Sequence, residues 1–258
     1  LDGTLVSTTM RTPGNDYELA AGFCFTEGLL AGAWITGVRY CADGGAVASE
    51  FNVVTVETGG LAPTPTPRLG NTSSSCGWCG SDQLDELMTR LDPVPPTDPI
   101  SLEVIATMPN RVLQSQGLFD RTGAVHAAAA FTREGEVLVM REDVGRHNAV
   151  DKVIGAMLLG SVPLGSAVTP AVTPAVTPAV TPAVIPAAGL GLFVSGRASI
   201  EMVQKAWAAG FSTVVAVSAP TALAVDAARR SGMVLAGFVR GSKFNIYAPE
   251  RLAPDVDN

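Results

Sequence analysis

Cys76 and Cys79 lie in Ser73-Ser74-Ser75-Cys76-Gly77-Trp78-Cys79-Gly80, two thiols spaced by two residues and set among serine and glycine. Such a pair can share a proton or a metal ion, and pairing commonly lowers one thiol's pKa so that a nucleophilic thiolate exists near neutrality. Three chemistries use this arrangement: half of a zinc site, a thioredoxin-like dithiol, and a persulfide carrier. A structural zinc takes four ligands, and Cys24, Cys41 and the two histidines supply no second paired knuckle, so no metal is expected. A thioredoxin-type motif opens a helix directly after a strand, whereas this pair closes a breaker-rich stretch from Gly59 to Gly80. A loop of that length is commonly functional or disordered, and it can swing a sulfur between donor and acceptor. A sulfane sulfur on one cysteine passes on by thiolate exchange, with the second cysteine placed to assist or resolve it.

Three further stretches carry polar chemistry. His126 in TGAVHAAAA and His147 in REDVGRHNAVDK are the two histidines of the chain, and an isolated one is by default a satisfied structural residue. Around Arg146 and His147, however, a strand gives way to a helix, a position suited to binding an anion or holding a catalytic group. The plain alternative is a turn in which Arg141, Glu142, Asp143 and Arg146 pair among themselves. Ser195-Gly196-Arg197-Ala198-Ser199 again joins strand to helix, so Ser195, Arg197 and backbone N–H groups could meet phosphate. There the alternative is an ordinary turn capped by Ser199. Phe238-Val239-Arg240-Gly241-Ser242-Lys243 puts two cations around a glycine after a strand, either a phosphate clasp or a solvated hairpin tip.

The elements that must position these residues follow from periodicity. Residues 15–31 have helical spacing, with Asn15 or Asp16 as the cap and Glu27 interrupting an apolar face. Residues 38–42 and 51–57 read as a hairpin. Helices are expected over 81–90 and 101–117, on either side of the proline-rich DPVPPTDP, which marks a boundary between 1–98 and 99–258. Strands at 124–132 and 136–142 are followed by a helix at 147–159. Beyond it, strands at 191–195, 213–218 and 233–239 alternate with helices at 199–209 and 221–231. That alternation signals an α/β domain with a partly parallel sheet. AVTP occurs four times from Ala167 to Pro182 and AVIP follows. A proline every fourth residue excludes both helix and central strand, so 166–187 is expected as a disordered insert outside the fold.

The apolar fraction of 47% is enough for a proper core, and the net charge of −7 argues against a general nucleic-acid binder while leaving room for a local basic pocket. Four cysteines are too few for a disulfide scaffold, and no secretory leader opens the sequence, so a reducing, cytoplasmic compartment is expected. Leu1-Asp2-Gly3-Thr4-Leu5 reads as the middle of a strand and turn, which suggests that the natural chain begins earlier. No apolar run is long enough to span a bilayer, and no membrane association is expected.

RTPGNDYELAAGFCFTEGLL, SSSCGWCG, TGAVHAAAAF, REDVGRHNAVDKVIG, VSGRASIEMVQKAWAAGF, VAVSAPTALAV and GFVRGSKFNIYAPERL together resemble, in order and over nearly the whole chain, the formate dehydrogenase accessory sulfurtransferase family (FdhD/NarQ). The resemblance implies an α/β fold with a cytidine-deaminase-like mixed sheet core and a smaller N-terminal α+β part. It implies a homodimer that takes sulfur from a cysteine desulfurase and passes it to the molybdenum of bis(molybdopterin guanine dinucleotide), as formate dehydrogenase requires. Cys76 then matches the persulfide-bearing cysteine, Cys79 its partner, and Phe238 through Lys243 the stretch that holds the guanine dinucleotide, for which GDP is a mimic. The AVTP insert, the tail reading YAPER, and Cys24 in place of an aliphatic residue depart from the family pattern. Two other classes compete. A zinc deaminase needs a glutamate near its zinc-binding histidine and a later Pro-Cys-x-x-Cys, but alanines follow His126 and the CxxC precedes it. A cofactor-binding chaperone that never handles sulfur is the non-enzymatic alternative.

Overall fold

The computed structural model describes residues 1–40, 50–66, 81–160 and 187–249. Cys41, the CGWCG stretch and the AVTP insert lie outside the described residues. Helix α1 spans Asp16–Thr26 and is entered through Asn15, whose φ of 57° is a left-handed conformation that asparagine tolerates. The cap differs from expectation, because Asn15 makes no side-chain cap bond and Asp16 instead pairs with Arg11 at 2.7 Å. The helix is also shorter than its apolar spacing predicts. Gly28 turns left-handed at φ 73°, its N–H reaches Phe25 O, and the N–H of Leu29 reaches Cys24 O, a Schellman closure that ends the helix.

Strands β1 (Gly37–Tyr40) and β2 (Val54–Glu57) pair antiparallel as the expected hairpin. Helix α2 (Ser81–Arg90) leads into the proline-rich segment, and α3 (Leu102–Leu113) is capped by the Ser101 hydroxyl, which accepts from Val104 N at 3.2 Å. Instead of running on to 117, the chain breaks and forms a short second helix, α4 (Gly117–Thr122). The Glu142 carboxylate accepts the N–H groups of Leu118 and Phe119 at 2.9 and 2.8 Å, a long-range cap that local periodicity could not reveal.

The remaining elements are β3 (His126–Phe131), β4 (Val137–Asp143), α5 (Arg146–Leu158), β5 (Gly191–Val194), α6 (Ile200–Ala209), β6 (Thr213–Ala216), α7 (Ala222–Ser231), β7 (Val234–Arg240) and β8 (Lys243–Ala248). Six of these strands form one mixed sheet in the order β4-β3-β5-β6-β7-β8. Its centre, β5-β6-β7, is parallel, and β3, β4 and β8 run antiparallel to their neighbours. β7 and β8 pair antiparallel with Arg240 opposite Lys243, so the exposed hairpin tip that was one of the two readings of Phe238–Lys243 is what forms; KFNIYA itself was not read as a strand because it mixes polar and apolar residues as an edge strand does. The mixed α/β architecture itself agrees with the alternation of strand and helix.

Both faces of the sheet are covered, which is why β5 and β6 are buried along their whole length and carry no charge. Ala128, Ala130, Leu192, Val194, Val214 and Leu235 face the layer of α5, α6 and α7. The alternate residues Ala127, Ala129, Phe131, Phe193, Val215 and Ala236 pack with Ile105, Met108 and Val112 of α3. Helix α1 lies outside α5 and brings the β1–β2 hairpin with it, around a third cluster that includes Cys24, Leu30, Ile35 and Val56. A buried charge group joins the layers. Lys205 Nζ stands 3.0 Å from both Asp151 Oδ1 and Glu27 Oε1 and donates to Thr26 Oγ1 at 2.9 Å. Glu27, out of place on an apolar helix face in the sequence, is thus a partner for a buried lysine. Among the described residues no helix is long and apolar enough to cross a membrane.

Candidate functional site

The parallel strands β5, β6 and β7 all end at the same edge of the sheet, and antiparallel β3 begins there. Ligands of open α/β sheets favour this carboxyl edge. Backbone bonds knit the loops together: Ser195 N donates to Ala127 O at 2.9 Å, Ser218 N to Gly196 O at 3.2 Å, and Phe238 N to Ser218 O at 3.2 Å. The Ser195 hydroxyl accepts Ala127 N at 2.9 Å, which ties the β5–α6 turn to the residue after His126. All three non-thiol stretches singled out in the sequence therefore share one edge, though they lie far apart along the chain.

At the centre of that edge, helices α5 and α6 begin side by side. A Cβ placed on Gly196 would stand 3.5 Å from His126 Nδ1 and 3.8 Å from Arg146 Cδ, so the glycine lets the turn approach both side chains. His147 Nε2 lies 4.0 Å from Glu201 Oε2 in the first turn of α6. Burial first, then the charges of Arg146 and His147, lower the pKa of His126 and favour its neutral form. Burial and the charge of Arg197 likewise work against the Arg146 cation, with Glu201 opposing them. The Glu201 carboxyl is held down at about 2, chiefly by His147 and with help from the Ser199 hydroxyl, against the effect of burial. Arg146, Arg197, His126, His147 and the N-termini of α5 and α6 thus share one edge with Glu201 beside them, an electropositive setting for an anion.

The turn before α5 is not the self-paired ion cluster that its sequence allowed. Arg141 forks onto Glu18 at 2.5 and 2.7 Å, and Glu142 caps α4. Asp143 pairs with Lys152 at 2.7 Å, accepts Gly145 N and Asn148 Nδ2, and takes the N–H of Thr12 at 3.0 Å. Lys152 Nζ also donates to Thr12 O, and Asn148 to Met10 O, so the N-terminal segment is stapled beside the edge. Ser199 occupies the N-cap of α6, as the plain alternative for this turn had it, although its hydroxyl makes no cap bond.

Phe238 sits at a bulge between Gly237 and Arg240 with φ 54°, a conformation uncommon for an aromatic residue, and its ring is 42% exposed. Arg240, Ser242 and Lys243 are exposed around Gly241, whereas the Val239 side chain is buried in the core. Next to His126 a cleft of about 540 Å³ opens between α3, α4 and the sheet, lined among others by Asn110, Phe119, Phe193, Ser195 and Val217. That volume and its mixture of apolar walls with a few polar groups are those of a small-molecule pocket. Cys76 and Cys79 lie outside the described residues, so their placement relative to this edge does not enter the geometry. Among the described residues no three His, Cys, Asp or Glu side chains gather as a metal-ligand set.

Glu201 was missed by the sequence reading, although an acidic residue in the first turn after a Ser N-cap is a visible signal. What the sequence could not show is that this turn abuts His147, more than fifty residues earlier in the chain.

The sequence model of the FdhD/NarQ family matches residues 1–173 and 179–253. A Streptomyces avermitilis protein named sulfur carrier protein FdhD is 45% identical over 260 residues, covering 97% of this chain and 84% of that protein. A Corynebacterium efficiens protein of the same name is 43% identical, covering 97% of this chain and 86% of its own length. A crystal structure assigned as a formate dehydrogenase accessory protein from Desulfotalea psychrophila superposes with a TM-score of 0.62 at 24% identity, over 94% of this chain and 81% of that one, and so shares the fold.

Proposed function

The chain belongs to the FdhD/NarQ family, and from that membership we propose that it is a sulfur carrier serving formate dehydrogenase, with Cys76 as the persulfide-bearing residue. A cysteine desulfurase supplies the sulfur. The Cys76 thiolate attacks the outer sulfur of the donor persulfide, a new S–S bond forms as the donor's breaks, and the donor cysteine leaves as a thiolate. Attack by Cys79 on the Cys76 sulfur then releases hydrosulfide and leaves a Cys76–Cys79 disulfide, which a thiol reductant restores. The acceptor is the molybdenum of bis(molybdopterin guanine dinucleotide), bound as a substrate, and the protein acts as a cytoplasmic homodimer.

The observation that supports an anionic dinucleotide as acceptor is the convergence of Arg146, His147, Ser195 and Arg197 with Phe238 through Lys243 at one sheet edge. Arginine forks and helix N-termini suit a pyrophosphate. The exposed Phe238 ring offers a stacking face for guanine or pterin, and Arg240 and Lys243 add cations beside it.

Incubation with a cysteine desulfurase and cysteine should add one sulfur to the protein, removable by reductant, and Cys76→Ala should abolish the gain. Equal loading of the variant in intact-protein mass spectrometry would reject Cys76 as the carrier. Full support of formate dehydrogenase by the Cys76→Ala protein would leave only the chaperone reading.

A further inference from the structure

Asp143 ends β4 opposite His126 in the β3–β4 register, and α5 begins just beyond it with Arg146 and His147. Its carboxylate is fully buried, and each of its oxygens accepts two donors. Oδ1 takes Gly145 N at 2.8 Å and Asn148 Nδ2 at 3.0 Å, while Oδ2 takes Thr12 N at 3.0 Å and pairs with the buried Lys152 Nζ at 2.7 Å. Thr12 closes a second circuit on the same turn. Its carbonyl accepts from Lys152 Nζ at 2.8 Å and its hydroxyl from Val144 N at 2.9 Å. Gly145, the N-cap of α5, brings no side chain to cap the helix. The start of α5 is therefore fixed by a carboxylate of the preceding strand and by the N-terminal segment, not by a local cap.

We propose that Asp143 is a positioning residue for this edge: by holding Thr12, Gly145, Asn148 and Lys152 together it fixes where Arg146 and His147 stand. The proposal rests on the reading of the edge as the seat of an anionic cofactor. Buried as it is, Asp143 acts only through the residues it holds. Cations kept in place before a ligand arrives lose less freedom when it binds, which is why a binding site needs a rigid supporting layer. Asparagine has the same shape but cannot take over. One of its two terminal atoms is an NH2 group, which would face two donors, and Lys152 would keep a buried charge without its counter-ion. The turn has to shift to relieve both faults, and Arg146 and His147 move with it.

Proton NMR of the full chain reads this without a ligand, because His126 and His147 are its two histidines and His147→Gln tells their ring signals apart. Burial first, then the charges of Arg146 and His147, keep the His126 pKa low. In Asp143→Asn the turn no longer holds those charges against it, so His126 should titrate at higher pH. Calorimetry with GDP, the nucleotide end of the proposed cofactor, should show affinity lowered on the order of tenfold. Thr12→Val removes the acceptor for Val144 N and keeps the buried ion pair; it should move both readings the same way by less, and it decides the matter alone should Asp143→Asn fail to fold. Lys205→Met breaks a buried group made with Thr26, Glu27 and Asp151. It should lower stability yet leave the His126 titration and the GDP affinity of the folded protein unchanged. An unmoved His126 in every folded variant of the turn, or an equal movement in Lys205→Met, would overturn the positioning role. Failure of GDP to bind the unaltered protein would instead overturn the reading of the edge, and the proposal with it, a result distinct from an unmoved His126.

Discussion

Gly22 of α1 and Gly155 of α5 mark where the two helices cross backbone to backbone: a Cβ on Gly22 would come within 1.9 Å of Asp151 O, and one on Gly155 within 1.8 Å of Glu18 O. Because the obstacle is main chain on both sides, neither contact can be relieved by turning a side chain. Gly22→Ala or Gly155→Ala should therefore destabilise the protein by about 3 kcal/mol or more, at the upper end of overpacking costs. Thermal or urea unfolding checks this, and a loss below about 0.5 kcal/mol, the range of an ordinary surface substitution, would contradict the crossing.

Lys205 is buried with Asp151 and Glu27, and its charge is upheld by those two carboxylates although burial alone would suppress it. Lys205→Met leaves Asp151 ionised or forces it to take a proton in an apolar setting, a change that costs about 3–5 kcal/mol for a buried pair. The double variant Lys205→Met with Asp151→Asn should recover part of that loss. If the two effects simply add in a double-mutant cycle, the residues are not coupled as the 3.0 Å contact requires.

Cys24 is packed among apolar side chains, and burial pushes its thiol up to about 12. At pH 8 its thiolate fraction is then about one part in ten thousand, which removes it as a nucleophile. Iodoacetamide applied to the folded protein at pH 8 should leave Cys24 unmodified and label it only after unfolding, as peptide mapping would show. Labelling of Cys24 in the native protein at a rate like that of a free thiol would disprove its burial.

Glu201 titrates at about 2 rather than 4.5, so its ionised form contributes stability above the ordinary carboxyl range and loses it as pH falls from about 4.5 to about 2. The stability difference between the unaltered protein and Glu201→Gln should accordingly close progressively as the pH falls from about 5 towards 2. Urea unfolding across that range measures it. Because the carboxylate is partly exposed, the difference is small, and a gap that widens in acid would reverse the sign of the argument.

Much of this molecule is legible along the chain. Uncharged, largely apolar runs, GLFV at 191–194 and TVVA at 213–216, announce buried parallel strands. Helical spacing locates α5, α6 and α7 to within a residue or two, because those elements are decided by which face is apolar. The thiol pair and the three polar stretches stand out by residue type alone, since they place polar or flexible groups where packing has no use for them. Tertiary structure decided what distance along the chain conceals. Glu142 stands in the middle of β4's run of charges yet serves as the cap of α4, and Glu27 breaks an apolar face yet answers Lys205 from α6. The single edge that unites His126, Arg146, Arg197 and Phe238 exists because parallel strands must all finish on the same side, so that residues as distant along the chain as His126 and Gly196 become neighbours. Periodicity reports which way a side chain faces within its own element, whereas only the order and direction of the strands determine what it faces.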